Sequence, residues 1–129
     1  MLSYEQFTAF AQQGYNRIPL ALELLADLDT PLSVYCKLAN RPYSYLFESV
    51  HGGERWGRYS IIGLSSQQRL EVRDHTVRIY QDDTLLSEQQ SADPLAFIED
   101  YQAQFRVPEV EGLPRFTGGL VGYFAYDSV

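Results

Sequence analysis

The residues of this chain best suited to chemistry fall in one stretch. Glu48-Ser49 closes an apolar run, and Arg58-Tyr59-Ser60 opens the next, with Gly52, Gly53 and Gly57 between them. A carboxylate, several hydroxyls, a guanidinium and pliable backbone therefore converge. Two readings fit these residues. In one, Glu48 pairs with Arg55 or Arg58 and anchors a hairpin. In the other, the group is a site for a small zwitterion. Glu48 then holds an ammonium, and Ser49, Arg58 or backbone N–H groups hold a carboxylate. Residue types and spacing leave both open.

Other chemistry finds little support. Gly118-Gly119-Leu120-Val121-Gly122 matches neither GxxxxGK[ST] nor GxGxxG, and its glycines lie inside a strand pattern rather than ahead of a helix. No GxSxG nucleophile elbow is present. The two histidines, His51 and His75, have no cysteine or acidic neighbour at ligand spacing, so no metal site is expected. His51 reads as a loop residue and His75 as a solvated turn tip. Cys36, the single cysteine, has no partner for an internal disulfide and no adjacent base, and is expected to be inert. No catalytic residue is assigned.

The elements that must position the Glu48 to Ser60 stretch can be read from local signals. Tyr43 to Val50 is an aromatic-rich buried strand, and Arg58 to Leu64 a second strand across the glycine-bearing loop. Upstream, Ser3 and Gln6 have capping-box spacing, which predicts a helix over Tyr4 to Gln13, stopped at Gly14. Ile18, Leu20, Leu22 and Leu24 alternate with Pro19, Ala21 and Glu23, the pattern of an edge strand. Thr30-Pro31 starts a second helix with Val34, Tyr35 and Leu38 inward, ending at Asn40-Arg41-Pro42.

Leu70 and Val72, then Val77 and Ile79, flank Arg73-Asp74-His75-Thr76 as a hairpin. Asp93 caps the clearest helix, with Pro94 first and Leu95, Ile98, Tyr101, Gln102 and Phe105 near one stripe. Pro108 to Pro114 is a linker. Phe116 to Tyr126 reads as a glycine-bearing apolar strand. An apolar strand of that length, with nothing after it to cover it, suggests the front of a longer protein.

The whole is expected to be α+β: an antiparallel or mixed sheet with flanking helices, in one domain over residues 1–129. The 129 residues are 45% hydrophobic, enough for a core and too apolar for a disordered acidic tail. A net charge of −7 argues against binding nucleic acid, which needs a basic face. No apolar run approaches the ~20 residues that span a bilayer, so no membrane role is expected. Met1 to Gln6 lacks signal-peptide character and cysteine is scarce, which points to the cytoplasm. Exposed edges and apolar faces leave room for homo-oligomers.

Leu46-Phe47-Glu48-Ser49 resembles the L-L-E-S element of component I of anthranilate synthase. Gly52-Gly53-Glu54-Arg55-Trp56-Gly57-Arg58-Tyr59-Ser60-Ile61-Ile62-Gly63 is similar to that family's G-G-E-x-x-G-R-Y-S-x-I-G stretch. Arg17-Ile18-Pro19, Asp29 to Tyr35 and Phe116 to Asp127 fit it too, in the family's order. The resemblance implies an N-terminal, regulatory domain whose C-terminal chorismate-binding catalytic partner is absent.

The complete enzyme, a lyase of tryptophan biosynthesis, would make anthranilate from chorismate and ammonia. A glutamine amidotransferase, component II, would supply the ammonia, and Mg2+ would be the cofactor. Feedback inhibition by L-tryptophan would act at Glu48 and Ser49, helped by Arg58, Tyr59 and Ser60, with aromatic walls such as Tyr45, Phe47 or Tyr59. Phe47 replaces a leucine of the motif and shares a strand face with Ser49, which would reshape the pocket. The fragment alone is not expected to be catalytic. The alternatives are aminodeoxychorismate synthase component I of folate synthesis and a stand-alone amino-acid-binding module.

Overall fold

The computed structural model describes residues 2–48, 59–114 and 116–126. Among them stand three helices, α1 (Tyr4–Gln12), α2 (Pro31–Leu38) and α3 (Pro94–Ala103). Five strands accompany them: β1 (Tyr45–Glu48), β2 (Ser60–Gly63), β3 (Gln68–Arg73), β4 (Thr76–Gln81) and β5 (Thr84–Gln90). The strands form two antiparallel sheets, β1-β2 and β3-β4-β5, so the class is α+β as the sequence implies. Two compact units result. One comprises Met1–Leu24, Arg73–Thr76 and Gln90–Val129, the other Leu25–Val72 and Val77–Gln89.

In the first unit, local capping sets both ends of α1. The Ser3 hydroxyl accepts from the Gln6 N–H at 3.2 Å, and the Gln6 side chain accepts from the Ser3 N–H at 2.9 Å. At the far end Gly14 takes φ +84°, and Tyr15 N–H reaches back to Phe10 C=O at 3.2 Å. The Phe10 and Tyr15 rings meet edge to face at 5.7 Å. This is a Schellman stop, which needs a residue free of a Cβ at the left-handed position.

Helix α3 begins where Asp93 accepts from the Leu95 and Ala96 N–H groups, both at 3.1 Å. Its half-buried side is Phe97, Ile98 and Tyr101, continued by Phe105. Leu95 and Gln102 are exposed instead. At 3.6 residues per turn they lie about 100–120° around the helix from Tyr101, the middle of the Phe97–Tyr101–Phe105 line. The exits of α1 and α3 are clipped together by Asn16. Its side chain donates to Gln104 C=O at 2.7 Å and accepts from Arg106 N–H at 2.8 Å. The N–H groups of Asn16 and Arg17 both donate to Arg106 C=O. Arg17 lies over the Phe105 ring and Arg106 over that of Tyr15, at 4.9 and 5.8 Å.

In the second unit, Thr30 and Ser33 form a reciprocal capping box at the start of α2, with Pro31 in its first turn. Asp29, just before the cap, accepts from Ser33 and Lys37. Val34 and Tyr35 are half-buried, but Leu38 is 65% exposed, contrary to its expected inward position. The buried residue at this end is Ala39, in the helix cap, where the chain leaves the helical path. Helix α2 packs on β1 and β2. The Tyr35 hydroxyl meets that of Ser44 at 3.0 Å just ahead of β1.

The three-stranded sheet turns at Asp74-His75 and Asp82-Asp83. Asp74 and Asp82 sit at φ +54° and +52°, a region aspartate tolerates better than most residues. His75 is exposed at its turn, and its C=O accepts from Ser91 N–H. Val77 on the central strand is fully buried. Strand β5 carries no clean alternation in sequence. It is held by its ladder and by cross-strand pairs, Arg78 with Glu88 and Gln90 with Thr76.

Arg69 on β3 is 17% exposed and lies between two rings, 4.1 Å from the Tyr80 centroid and 4.7 Å from that of Tyr43. It donates to Glu71 and to Asp82 C=O. The Glu71 hydrogen bond leads the causes that hold its proton more firmly still. Tyr43 takes φ +59°, and its C=O accepts from Ser66 N–H at 3.0 Å.

Two strands read from the sequence are not formed. Residues 18–24 and 116–126 carry no strand, and Leu20, Leu22 and Leu24 stand exposed. Period-2 patterning makes a strand only where a partner supplies the ladder, and no described strand pairs with either segment. The linker expected at Pro108 to Pro114 lacks regular structure, with Pro108 buried and Gly112 at φ +85°.

Two measurements test these local fastenings. Asn16→Ala removes two hydrogen bonds between the helix exits and is expected to destabilise by about 1–3 kcal/mol, read in urea unfolding at unchanged slope. The hydrogen bond from Lys37, then that from Ser33, lowers the Asp29 pKa below its usual value. The folded state therefore binds fewer protons there. The stabilisation is complete above the ordinary carboxylate pKa and is lost as pH falls through the lowered one. The gap in thermal stability between the parent and Asp29→Asn should narrow as pH falls from 7 into the acid range below the ordinary carboxylate pKa. A gap independent of pH would show that the charge of the carboxylate contributes nothing.

Candidate functional site

The β1–β2 ladder decides which of the candidate residues share a face. Its register pairs Tyr45 with Gly63, Leu46 with Ile62, Phe47 with Ile61, and Glu48 with Ser60. Directly opposite residues in an antiparallel pair point the same way, with Cβ atoms about 4.5–5.5 Å apart. The carboxylate of Glu48 and the hydroxyl of Ser60 therefore stand side by side at one end of the sheet. Both are exposed. Leu46 and Ile62 continue that face.

Tyr59 directly precedes β2, one residue out of phase with Ser60, and is 62% exposed. Ser49 and Arg58 lie outside the described residues, as does Arg55, so both proposed ion pairs of Glu48 lie there as well. Among the described residues no cation pairs with Glu48.

The other face is aromatic. Tyr45 and Phe47 are two residues apart on β1, and their rings lie 4.9 Å apart at 35°. The Tyr45 ring covers Gly63 so closely that a Cβ built there would stand 1.9 Å from a ring carbon. Gly63 is thus fixed by close approach, and it lets Tyr45 lie flat on the partner strand. Phe47 is half-exposed, so β1 is less buried than its composition suggests. Tyr45 and Phe47, expected as walls beside Glu48, face the opposite way. Strand alternation forces that separation.

This end of the sheet can hold a small polar group: one acid and one hydroxyl, with aliphatic neighbours. Among the described residues no three His, Cys, Asp or Glu side chains come close enough to hold a metal ion. Cys36 is free and exposed. The Arg69 stack and the Asn16 clip escaped the sequence reading, because each joins residues far apart in the chain. No helix among the described residues is long and apolar enough to cross a membrane.

The chain matches no family profile and no solved structure. Its curated relatives are nevertheless close. It is 59% identical over 128 residues to anthranilate synthase component 1 of Pseudomonas aeruginosa, covering 99% of this chain and 26% of that protein. Against the protein of the same name from Neisseria meningitidis serogroup B the identity is 57% over 129 residues, 100% of this chain and 26% of the relative. The Aquifex aeolicus protein of that name is 43% identical over 129 residues, with 99% and 26% covered.

The chain is thus of the α+β class and spans about a quarter of the length of the relatives it matches. Along its whole length it is homologous to anthranilate synthase component 1.

Gly63→Ala tests the aromatic face. The added methyl must displace the Tyr45 ring, and overpacking of this kind costs about 1–3 kcal/mol. The expected outcome is a lower urea midpoint and altered near-ultraviolet circular dichroism. Unchanged stability would mean that Tyr45 does not rest on Gly63.

Proposed function

We propose that this chain is the N-terminal portion of an anthranilate synthase component 1 and carries an L-tryptophan inhibitor site. The complete protein would be a cytoplasmic lyase of tryptophan biosynthesis, converting chorismate and ammonia to anthranilate. A C-terminal domain would bind chorismate, and an amidotransferase partner would release ammonia from glutamine. Identity of 43–59% along the whole chain is the observation that carries the assignment of family role. Relatives at 59, 57 and 43% identity bear the same name. The magnesium ion would serve the chorismate chemistry, with ligands drawn from outside the described residues of this chain.

The inhibitor reading rests on Glu48 facing Ser60 across β1 and β2. Tryptophan presents an ammonium, a carboxylate and a large ring. The Glu48 carboxylate accepts the ammonium's hydrogen bonds, and the Ser60 hydroxyl donates toward the carboxylate; Ser49 and Arg58 belong to the site through the family resemblance alone. Leu46 and Ile62 offer apolar surface on the same face, and Tyr59 stands at its edge. A ligand held here influences chorismate chemistry only through a different affinity for two arrangements of the full-length protein. An exposed carboxylate and hydroxyl, incomplete by themselves, suit a site that a second part of the protein finishes.

The test uses the full-length protein and anthranilate fluorescence. Glu48→Gln removes a charge-assisted hydrogen bond, worth about 1.5–3 kcal/mol, and should raise the half-inhibiting tryptophan concentration ~10- to 100-fold. Ser49→Phe should relieve inhibition by filling the pocket. Full sensitivity to tryptophan in both variants would sink the site assignment. Absence of anthranilate formation by the parent protein would sink the assignment of activity.

A further inference from the structure

The pairing of Glu48 with Ser60 is one register among neighbours that differ by a single residue. A slip by one along β1 would set Phe47 against Ser60 and turn the carboxylate to the other face. Two strands of four residues each do little by themselves to forbid that slip. Residue-specific fastenings hold the register at the Tyr45–Gly63 end. The Ser65 hydroxyl donates to Pro42 C=O at 2.7 Å, and Ser66 N–H donates to Tyr43 C=O at 3.0 Å. Consecutive residues after β2 thus meet consecutive carbonyls before β1.

These bonds keep Tyr43 at φ +59°, where a bulky residue is strained. Its ring offsets that strain. Arg69 on β3 lies 4.7 Å from the Tyr43 centroid and 4.1 Å from that of Tyr80 on β4. The Arg69 side chain is only 17% exposed, and withdrawal from water strengthens a cation–ring contact. Its nitrogens donate to Glu71 at 3.0 Å and to Asp82 C=O. Arg69 is therefore fastened to the three-stranded sheet, and Tyr43 rests on Arg69.

We propose that Arg69 is the positioning residue of the inhibitor site. It acts without touching the ligand, through Tyr43 and the register of β1. Tyr45 and Glu48 end that strand about 10 Å apart, so the anchor and the carboxylate stand at opposite ends of it. The proposal deepens the inhibitor reading of Glu48 and Ser60 and rests on it. A lysine at position 69 keeps a positive charge for Glu71 but has neither the flat face nor the fork that the stack uses. Glycine at position 43 accepts φ +59° without strain and removes the ring, so that variant keeps the backbone path while losing the anchor. Phenylalanine at position 43 keeps the ring.

The test uses the full-length protein, with tryptophan inhibition read as a fraction of each variant's own uninhibited rate. Arg69→Lys and Tyr43→Gly should each raise the half-inhibiting tryptophan concentration ~10-fold, and Tyr43→Phe should leave it at the parental value. Hydrogen exchange gives a readout that needs no ligand. Amides of β1 and β2 should exchange ~10-fold faster in Arg69→Lys than in the parent. A role in stability alone would lower the urea midpoint and leave the half-inhibiting concentration parental, which would overturn the proposal. Unchanged exchange in β1 and β2 would overturn it as well. Glu48→Gln, measured alongside, separates the two levels of the argument. Weakened inhibition in Glu48→Gln with parental inhibition in Arg69→Lys and Tyr43→Gly would refute the role of Arg69 and leave the inhibitor reading standing. Parental inhibition in Glu48→Gln would refute the inhibitor reading, and the role of Arg69 with it.

Discussion

The second unit is organised around one guanidinium. Arg69 projects from β3 between the rings of Tyr80 on β4 and Tyr43 ahead of β1. A lysine could supply the charge but not the flat face that two rings can sandwich, nor the fork that reaches Glu71 and the Asp82 carbonyl together. Through this stack the three-stranded sheet fixes the loop that leads into β1. That loop holds Tyr43 in the left-handed region, a conformation a tyrosine keeps only when its surroundings over-determine it. The Ser66 N–H on the Tyr43 carbonyl and the Ser65 hydroxyl on that of Pro42 supply the remaining determination. The register that brings Glu48 opposite Ser60 starts from this anchored loop.

The first unit solves a similar problem with an amide. Asn16 has both a donor and an acceptor, and it uses each on the backbone just beyond α3. Two short helices with half-buried faces have little packing to hold them, so a specific polar clip and stacked cations matter more than they would in a dense core. The unit's exposed leucines and aromatics fit the same account. Its local structure is complete, and its apolar surface is not covered.

Local signals proved legible. Ser3 with Gln6, Thr30-Pro31 and Asp93-Pro94 each start a helix where the sequence says, because a cap acts within three residues and needs no distant partner. The turn at Asp74-His75 is equally local. Strand β5 was not legible, since its glutamines and uneven leucines are recruited by β4 and carry little preference of their own. The strands read at residues 18–24 and 116–126 failed for the converse reason: the preference is present and the ladder partner is not. Glu48, Tyr59 and Ser60 were visible as residue types. Their arrangement was not, because alternation turns Tyr45 and Phe47 away from the acid they were expected to flank.

The sequence by itself determined the helix starts, the Schellman stop at Gly14, the hairpin at Asp74, the α+β class and the kinship with anthranilate synthase component 1. These depend on short-range hydrogen bonding or on residue identity in order along the chain. Only the tertiary structure decided that Arg69 links two sheets, that Asn16 joins residues about ninety positions away, and which face of β1 carries the carboxylate. It also decided that two strand-patterned segments stand unpaired. Such facts depend on which distant groups meet. Closing a long loop costs entropy that no local pattern records, so contacts of that range are settled by the packing of the whole chain.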